Sequence, residues 1–217
     1  MATLGEYLGA GSSTTKLLLH LNGNSTDSSG NANNSTDTSI TYSLANGRFG
    51  QGAGFNGSSS KILSTLSLPA NGTMACLIKT SAAGSQGIIG KNKSGDVTRI
   101  DISSGIINFT IQVSSGATYS ISSTSTYNDG LFHFVLATWG SGGMKLYVDA
   151  SLVDSDAYTS YADTATYFSI GDNEDEGGTP TWFFNGSIDE VIIENTAWSA
   201  SKVKKYYTNS KGRFATL

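Results

Sequence analysis

Asn185-Gly186-Ser187-Ile188-Asp189-Glu190-Val191-Ile192-Ile193-Glu194-Asn195 reads as a tight turn feeding an apolar strand with a carboxylate at its entrance. Ala197-Trp198-Ser199-Ala200-Ser201 then opens a short helix. Asn-Gly supplies the positive φ that a tight turn needs. In a regular strand Asp189, Val191 and Ile193 share one face by the two-residue period. Ser199 is suited to N-cap the segment Ala200 to Tyr207, the one stretch with helical character.

Working outward, strand signals dominate. Gly105 to Val113 alternates, with Ile107, Phe109, Ile111 and Val113 on one side and Asn108, Thr110 and Gln112 on the other. Gly143 to Asp149 does likewise, Met144, Leu146 and Val148 against Lys145, Tyr147 and Asp149. Leu131 to Trp139 is apolar on both faces and is expected to be a central strand. Lys16 to Leu21 reads as the first strand, and a long Asn/Ser/Thr/Asp loop follows to about Ser39. The glycines of Arg48 to Gly57 suggest bulged or closely approached strand backbone. This spacing of strands, with one helix, predicts an all-β, two-sheet antiparallel sandwich. One unit is expected over residues 16–217, preceded by a small, polar arm over residues 1–15 with Leu4, Tyr7 and Leu8 as anchors.

Composition bounds the function. A chain of 217 residues that is 38% hydrophobic builds one core. Only 14% of residues are charged, and Ser, Thr, Asn and Gly fill the polar surface, which suits strands and turns. A net charge of −4 with no basic run speaks against a nucleic acid partner. Cys76 is the sole cysteine, so no internal disulfide forms, and it shares an apolar strand face with Met74 and Ile78. The first residues lack the basic and apolar segments of a Sec signal peptide, and no segment reaches the roughly 20 apolar residues of a membrane helix.

The stretch Phe184-Asn185-Gly186-Ser187-Ile188-Asp189-Glu190-Val191 resembles the last strand of laminin-G-like, concanavalin-A-like sandwich domains. The likeness extends to Leu18-Leu19-His20-Leu21-Asn22-Gly23-Asn24 with Asp27-Ser28-Ser29-Gly30-Asn31, to Arg48-Phe49-Gly50-Gln51-Gly52, and to Ile170-Gly171-Asp172-Asn173. It also covers the hairpin His133 to Trp139 and Lys145 to Asp149. Two departures are Phe132, where the family often has Trp, and Ala150, where it usually has Gly. The resemblance implies a jelly-roll β-sandwich and a binding module rather than an enzyme. It also implies a calcium site that joins the first loop to the last strand, with Asp27, Asn31 and Asp189 as oxygen ligands for a hard cation. The other reading is that Asp27 caps a turn and Asp189 bonds loop amides, with no metal; both stay open.

Catalytic readings are weak. The family's glucanases place E-x-D-x-x-E on one strand, but here Ser187 and Ile192 hold the glutamate positions around Asp189, and Glu194 comes late, on the opposite face of a regular strand. His20 and His133 are the only histidines, and neither sits in a zinc spacing. His133, mid-strand among apolar residues, reads as structural. Sugar binding needs an aromatic face beside planar polar groups. Tyr158, Tyr161, Asp172, Asn173 and Trp182 are the ligand-binding candidates, although Trp182 shares a strand face with Phe184 by the two-residue period and could belong to the core. The acidic run Asp172-Asn173-Glu174-Asp175-Glu176 would supply acceptors.

The expected function is noncatalytic binding of a cell-surface glycan or polysaccharide, with a phage virion surface as one setting because the composition looks extracellular while no export signal is seen. The alternatives are a capsid-decoration or tail protein docking on other virion proteins through the arm, and a carbohydrate-binding module of a secreted enzyme. Localisation is expected on a virion or outside the cell, with Ca²⁺ as the one candidate cofactor.

Overall fold

A computed structural model describes residues 13–93, 95–114, 116–173 and 181–211. Two antiparallel sheets hold nearly half of them and frame the rest. The first contains β1 (Thr15–Leu19), β3 (Thr41–Ser43), β4 (Gly52–Asn56), β6 (Gly72–Lys79), β11 (His133–Trp139), β12 (Met144–Val148), β13 (Ser151–Asp156) and β15 (Asn185–Glu194). Its order is β13-β12-β11-β6-β15-β4-β3, with β1 also paired to β15. The second contains β2 (Thr36–Thr38), β5 (Lys61–Ser64), β7 (Gln86–Lys93), β8 (Asp96–Ser103), β9 (Ile106–Gln112), β10 (Thr118–Ser122) and β14 (Phe168–Ile170). Its order is β10-β9-β8-β7-β14-β5-β2. Runs of successive strands, β7 to β10 in the second sheet and β11 to β13 in the first, alternate with crossings such as β4 to β5, β5 to β6, β6 to β7, β10 to β11, β13 to β14 and β14 to β15, which is a jelly-roll arrangement.

The alternating strands do what their sequences dictate. Ile107, Phe109 and Ile111 of β9, Met144, Leu146 and Val148 of β12, and Met74, Cys76 and Ile78 of β6 meet in one core between the sheets. Burying each large side chain contributes about 1.5–3 kcal/mol. Trp139 is fully buried there and donates Nε1–H to the Pro69 carbonyl at 2.8 Å. β11 is buried along nearly its whole length, with β6 and β12 on either side, as a strand apolar on both faces should be.

The other face of the first sheet is covered. Helix α1 (Ala200–Lys211) lays Val203 and Tyr206 over Leu18, Ala75, Leu77, Leu136 and Ile192. Ser199 caps it by accepting the Lys202 N–H at 3.3 Å, and the helix runs one turn beyond the predicted Tyr207. Trp198 donates its indole N–H to Glu194 at 2.6 Å and its backbone N–H to the Thr73 hydroxyl at 2.9 Å.

Two boundaries shift. β1 already begins at Thr15, so the last residue assigned to the arm is strand; residues 1–12 lie outside the described residues. The loop expected to run to Ser39 contains the short strand β2. One strand phase is corrected. The register of β15 against β6 slips between Asp189 and Ile192, and Glu190 takes φ +52°. That bulge lets both Ile188 and Val191 enter the core, so Asp189 leaves the face of Val191 and Ile193.

Candidate functional site

Asp172, Asn173 and Trp182 come together, and the chain path explains why. After β14 the backbone continues through Gly171, Asp172 and Asn173, and returns at Thr181, bridged to Asn173 by a backbone hydrogen bond of 2.9 Å. This hairpin lies against β7: the Gly87 N–H donates to the Trp182 carbonyl at 2.6 Å, and the Gly171 N–H to the Ile88 carbonyl at 2.8 Å. Close approach requires glycine at position 87, because a Cβ there would sit 2.2 Å from the Asp172 carbonyl oxygen. Glu174 to Pro180, including most of the acidic run, lie outside the described residues.

Both stems of the hairpin grip Arg99 of β8. Asn173 Oδ1 accepts from Arg99 Nη1 and from Asn92 Nδ2, each at 3.0 Å. The Trp182 ring stacks on the guanidinium, 4.8 Å from Cζ to the ring centroid. Trp182 takes φ +56°, which breaks the two-residue period expected with Phe184. Phe184 is therefore core, edge-to-face with Phe55, while Trp182 is 39% exposed. Asp172 turns inward, bonded by the Ser169 hydroxyl, and is buried.

From Arg99 a line of polar side chains crosses the outer face of the second sheet. Arg99 Nε donates to Asp101 Oδ1 at 3.0 Å, Asn108 Nδ2 to Asp101 Oδ2 at 2.9 Å, and Ser122 Oγ to Asn108 Oδ1 at 2.8 Å. Thr110 and Ser120 share a second hydroxyl pair at 3.1 Å. Period-two alternation placed Asn108, Thr110 and Gln112 on this face, but nothing in the sequence linked them to Arg99, Asp101 or Trp182. That link needs the strand order.

Tyr158 and Tyr161 do not join this group. Tyr158 stacks on Tyr119 of β10 with centroids 3.7 Å apart, at the opposite edge of the sheet from β14, and both tyrosines pack against the core.

The three residues implied as calcium ligands are occupied differently. Asp27 accepts from the Leu18, Ser29 and Asn33 amides and from the Ser29 hydroxyl at 2.8–3.1 Å, so donors face both of its oxygens. Asn31 uses its amide to donate to the Thr15 carbonyl at 2.7 Å. Asp189 Oδ2 accepts the Arg48 and Phe49 amides at 2.7 and 3.0 Å. A Ca²⁺ shell needs about 6–8 oxygens, whereas the groups bonded to Asp27 and to Asp189 Oδ2 are N–H and O–H donors. The set as arranged does not fit a cation; its bonds are those of the turn-capping reading.

The carboxylates on β15 form a separate cluster beneath α1. Asp189 is 0% exposed, and Oδ1 has no hydrogen-bond partner among the described residues. Burial, with the neighbouring Glu190 charge, pushes its carboxyl up to about 7. Glu190 binds His20 Nδ1 at 2.9 Å, and this hydrogen bond raises the imidazole pKa. Glu194 meets Lys202 Nζ at 2.6 Å. Because of the bulge, Asp189 and Glu194 both face the helix rather than opposite sides, and both carboxyl groups are buried beneath it. His133 bridges Asp149 at 2.8 Å and Asp129 at 3.1 Å, a clamp between loops that matches its structural reading.

By fold the molecule is similar to domain 4 of a GH43 extracellular arabinanase from Geobacillus stearothermophilus, solved in complex with arabinotriose. That pair is 19% identical with a TM-score of 0.74, over 89% of this chain and 98% of that domain. The receptor binding domain of a botulinum neurotoxin C/D mosaic serotype gives 19% identity and a TM-score of 0.69, over 90% of this chain and 51% of that one. The binding domain of Paraclostridial Mosquitocidal Protein 1 gives 13% and 0.73, over 95% and 53%. The chain spans about half the length of these two toxin domains. At such identities the likeness shows a shared sandwich. A sequence search of curated proteins finds no match. A family model does match residues 56–204, more than half of the chain, and the protein belongs to the concanavalin A-like lectin/glucanases superfamily.

Proposed function

We propose that the protein is a noncatalytic glycan-binding module and that it binds on the outer face of the second sheet. The observation that carries this reading is Trp182: a large aromatic held half out of the surface, braced from behind by Arg99, beside planar amides and a carboxylate. An open aromatic face takes the C–H face of a sugar, and fixed amides and hydroxyls orient its oxygens. The similarity to a domain solved with arabinotriose supports the reading without naming the sugar. The β15 carboxylates are unsuited to glycoside hydrolysis, since the residues that would flank a scissile bond lie buried under α1.

A glycan array probed with wild type and Trp182→Ala tests the proposal. Binding by the wild type that falls at least about tenfold in the variant, about 1.4 kcal/mol, with unchanged melting, is expected. Equal binding by the two proteins would move the site elsewhere. The carrier of the module is proposed separately: a virion surface, or a secreted hydrolase. Capsid and tail genes beside this one would support the first, hydrolase genes the second.

A further inference from the structure

Resting on that reading, we infer that the ligand is an uncharged, extended oligosaccharide lying across strands β7 to β10, and that this face turns acidic glycans away. Three observations carry the inference. The first is the shape of the polar line. Asn92, Arg99, Asp101, Asn108 and Ser122 stand on four successive strands and are tied to one another directly or through Asn173. Three inter-strand spacings of about 4.8 Å make a strip of roughly 14 Å, with Trp182 at one end and serine hydroxyls at the other. Such a strip is longer than one sugar ring and runs across the strands.

The second observation is charge. On the outward positions of β7 to β10, among the described residues, the one cation is Arg99, and Asp101 stands against it at 3.0 Å. Asp172 lies buried at the same end, in the small cleft it lines with Arg99, Asn92 and Asn173. Lys91 of β7 is turned away and held by Asp163 at 2.6 Å and the Ala165 carbonyl at 2.8 Å. A uronate or sulfate ester brought here finds the one cation already paired and a second carboxylate buried behind it, and like-charge juxtaposition is how a surface rejects a partner.

The third is the state of Arg99. Nε and one N–H of Nη1 are used by Asp101 and Asn173. Of the five donors a guanidinium carries, the rest have no partner among the described residues. A guanidinium braced on one side by a carboxylate and backed by an indole offers those donors to neutral hydroxyl or ring oxygens. It no longer offers a net positive charge.

The test is titration calorimetry of the whole chain against neutral polysaccharides (arabinan, xylan, mixed-linkage glucan, galactan) and acidic ones (polygalacturonate, alginate, hyaluronate), at low and high salt. Oligomers of one to four residues of any neutral binder complete the set. We expect binding only among the neutral polymers, or acidic binding weaker by on the order of tenfold that improves as salt screens repulsion. Affinity should rise at least about tenfold from monomer to trimer and then level off, since one ring covers only part of the strip. Asp101→Asn should narrow the gap between the two classes; the wild-type salt series reads the same gap if that variant does not fold. An acidic polymer bound more tightly than every neutral one, and lost in Trp182→Ala, would overturn this inference while leaving the glycan-binding face in place. A monomer as tight as the trimer would overturn the extended ligand. Failure of both classes to bind would overturn the function and the inference together.

Discussion

The two sheets finish their outer faces in opposite ways, and two tryptophans mark the contrast. Trp198 is 3% exposed, roofed by α1, with its indole N–H spent on Glu194 and Lys202 over its ring. Trp182 stands on the second sheet with one face on Arg99 and the other in solvent. The first sheet hides its acids under a helix; the second lays its polar groups out as a strip tied by side-chain hydrogen bonds. Strand alternation alone gives both sheets one inward and one outward face. What separates them, among the described residues, is whether later chain returns to cover the outward one. A covered face serves stability, and an uncovered, pre-ordered polar face is free for a ligand.

This contrast can be broken most sharply by swapping the roles of the tryptophans. Trp198→Ala should cost about 3–5 kcal/mol in urea unfolding, because it leaves a cavity and removes the indole donor from buried Glu194. Trp182→Ala should cost about 1 kcal/mol or less, as surface changes do. Similar costs at the two sites would erase the distinction.

The covered face should also titrate. Asp189 has a folded-state pKa of about 7, above its ordinary value, so the folded state holds a proton that the unfolded chain releases. Its stabilising contribution is complete below the unfolded pKa and is lost as pH rises through 7. His20 and His133 are also raised, each chiefly by a hydrogen bond to a carboxylate, and their contributions likewise vanish as pH climbs through their folded values. Stability is therefore expected to fall by about 2–4 kcal/mol between pH 4 and 8. Asp189→Asn, which keeps an acceptor for the Arg48 and Phe49 amides, should flatten that slope. Below about pH 4 the trend reverses, because Asp129 and Asp149 are held low by His133 and the Leu131 and Phe134 amides and lose their partners on protonation. A profile that rises from pH 4 to 8 would refute the buried-acid account.

On the open face, Gly87→Ala tests the seat of the hairpin. The added methyl meets the Asp172 carbonyl at 2.2 Å. Such overpacking costs about 1–3 kcal/mol and should displace Asn173 and Trp182, so glycan affinity should drop with them. The smallest effect concerns metal. With donors already facing Asp27, melting in excess EDTA and in millimolar calcium should agree to within about a degree. A clear rise with calcium would mean that an ion displaces those amides, and would restore the site that the sequence resemblance implied.

How much of this was legible in the sequence follows from the range of each interaction. Alternation in β9 and β12, the double-sided burial of β11 and the Ser199 cap are local, and the sequence displays them. The bulge at Glu190 is not local: it arises where β15 pairs with β6 across more than a hundred residues, and it reversed the expected faces of Asp189 and Glu194. The neighbours of Trp182 make it a ligand candidate, yet its escape from the core depends on a left-handed φ that no residue type announces. Arg99, Asn92 and Asp101 carry no local signal, because they meet around Asn173 only through strand order. Tyr158 and Tyr161 stand near the acidic run in sequence, yet Tyr158 stacks on Tyr119 at the β10 edge and both pack against the core.

The most direct test of the open face as the binding face is a ¹⁵N-resolved NMR titration with a neutral oligosaccharide that binds on the array. Shifts are expected at the Trp182 indole, the Arg99 guanidinium and the Asn92, Asn108 and Asn173 amides, with the Trp198 indole and α1 unmoved. Shifts confined to α1, to Tyr158 and Tyr161, or to the loop around Asp27 would contradict it.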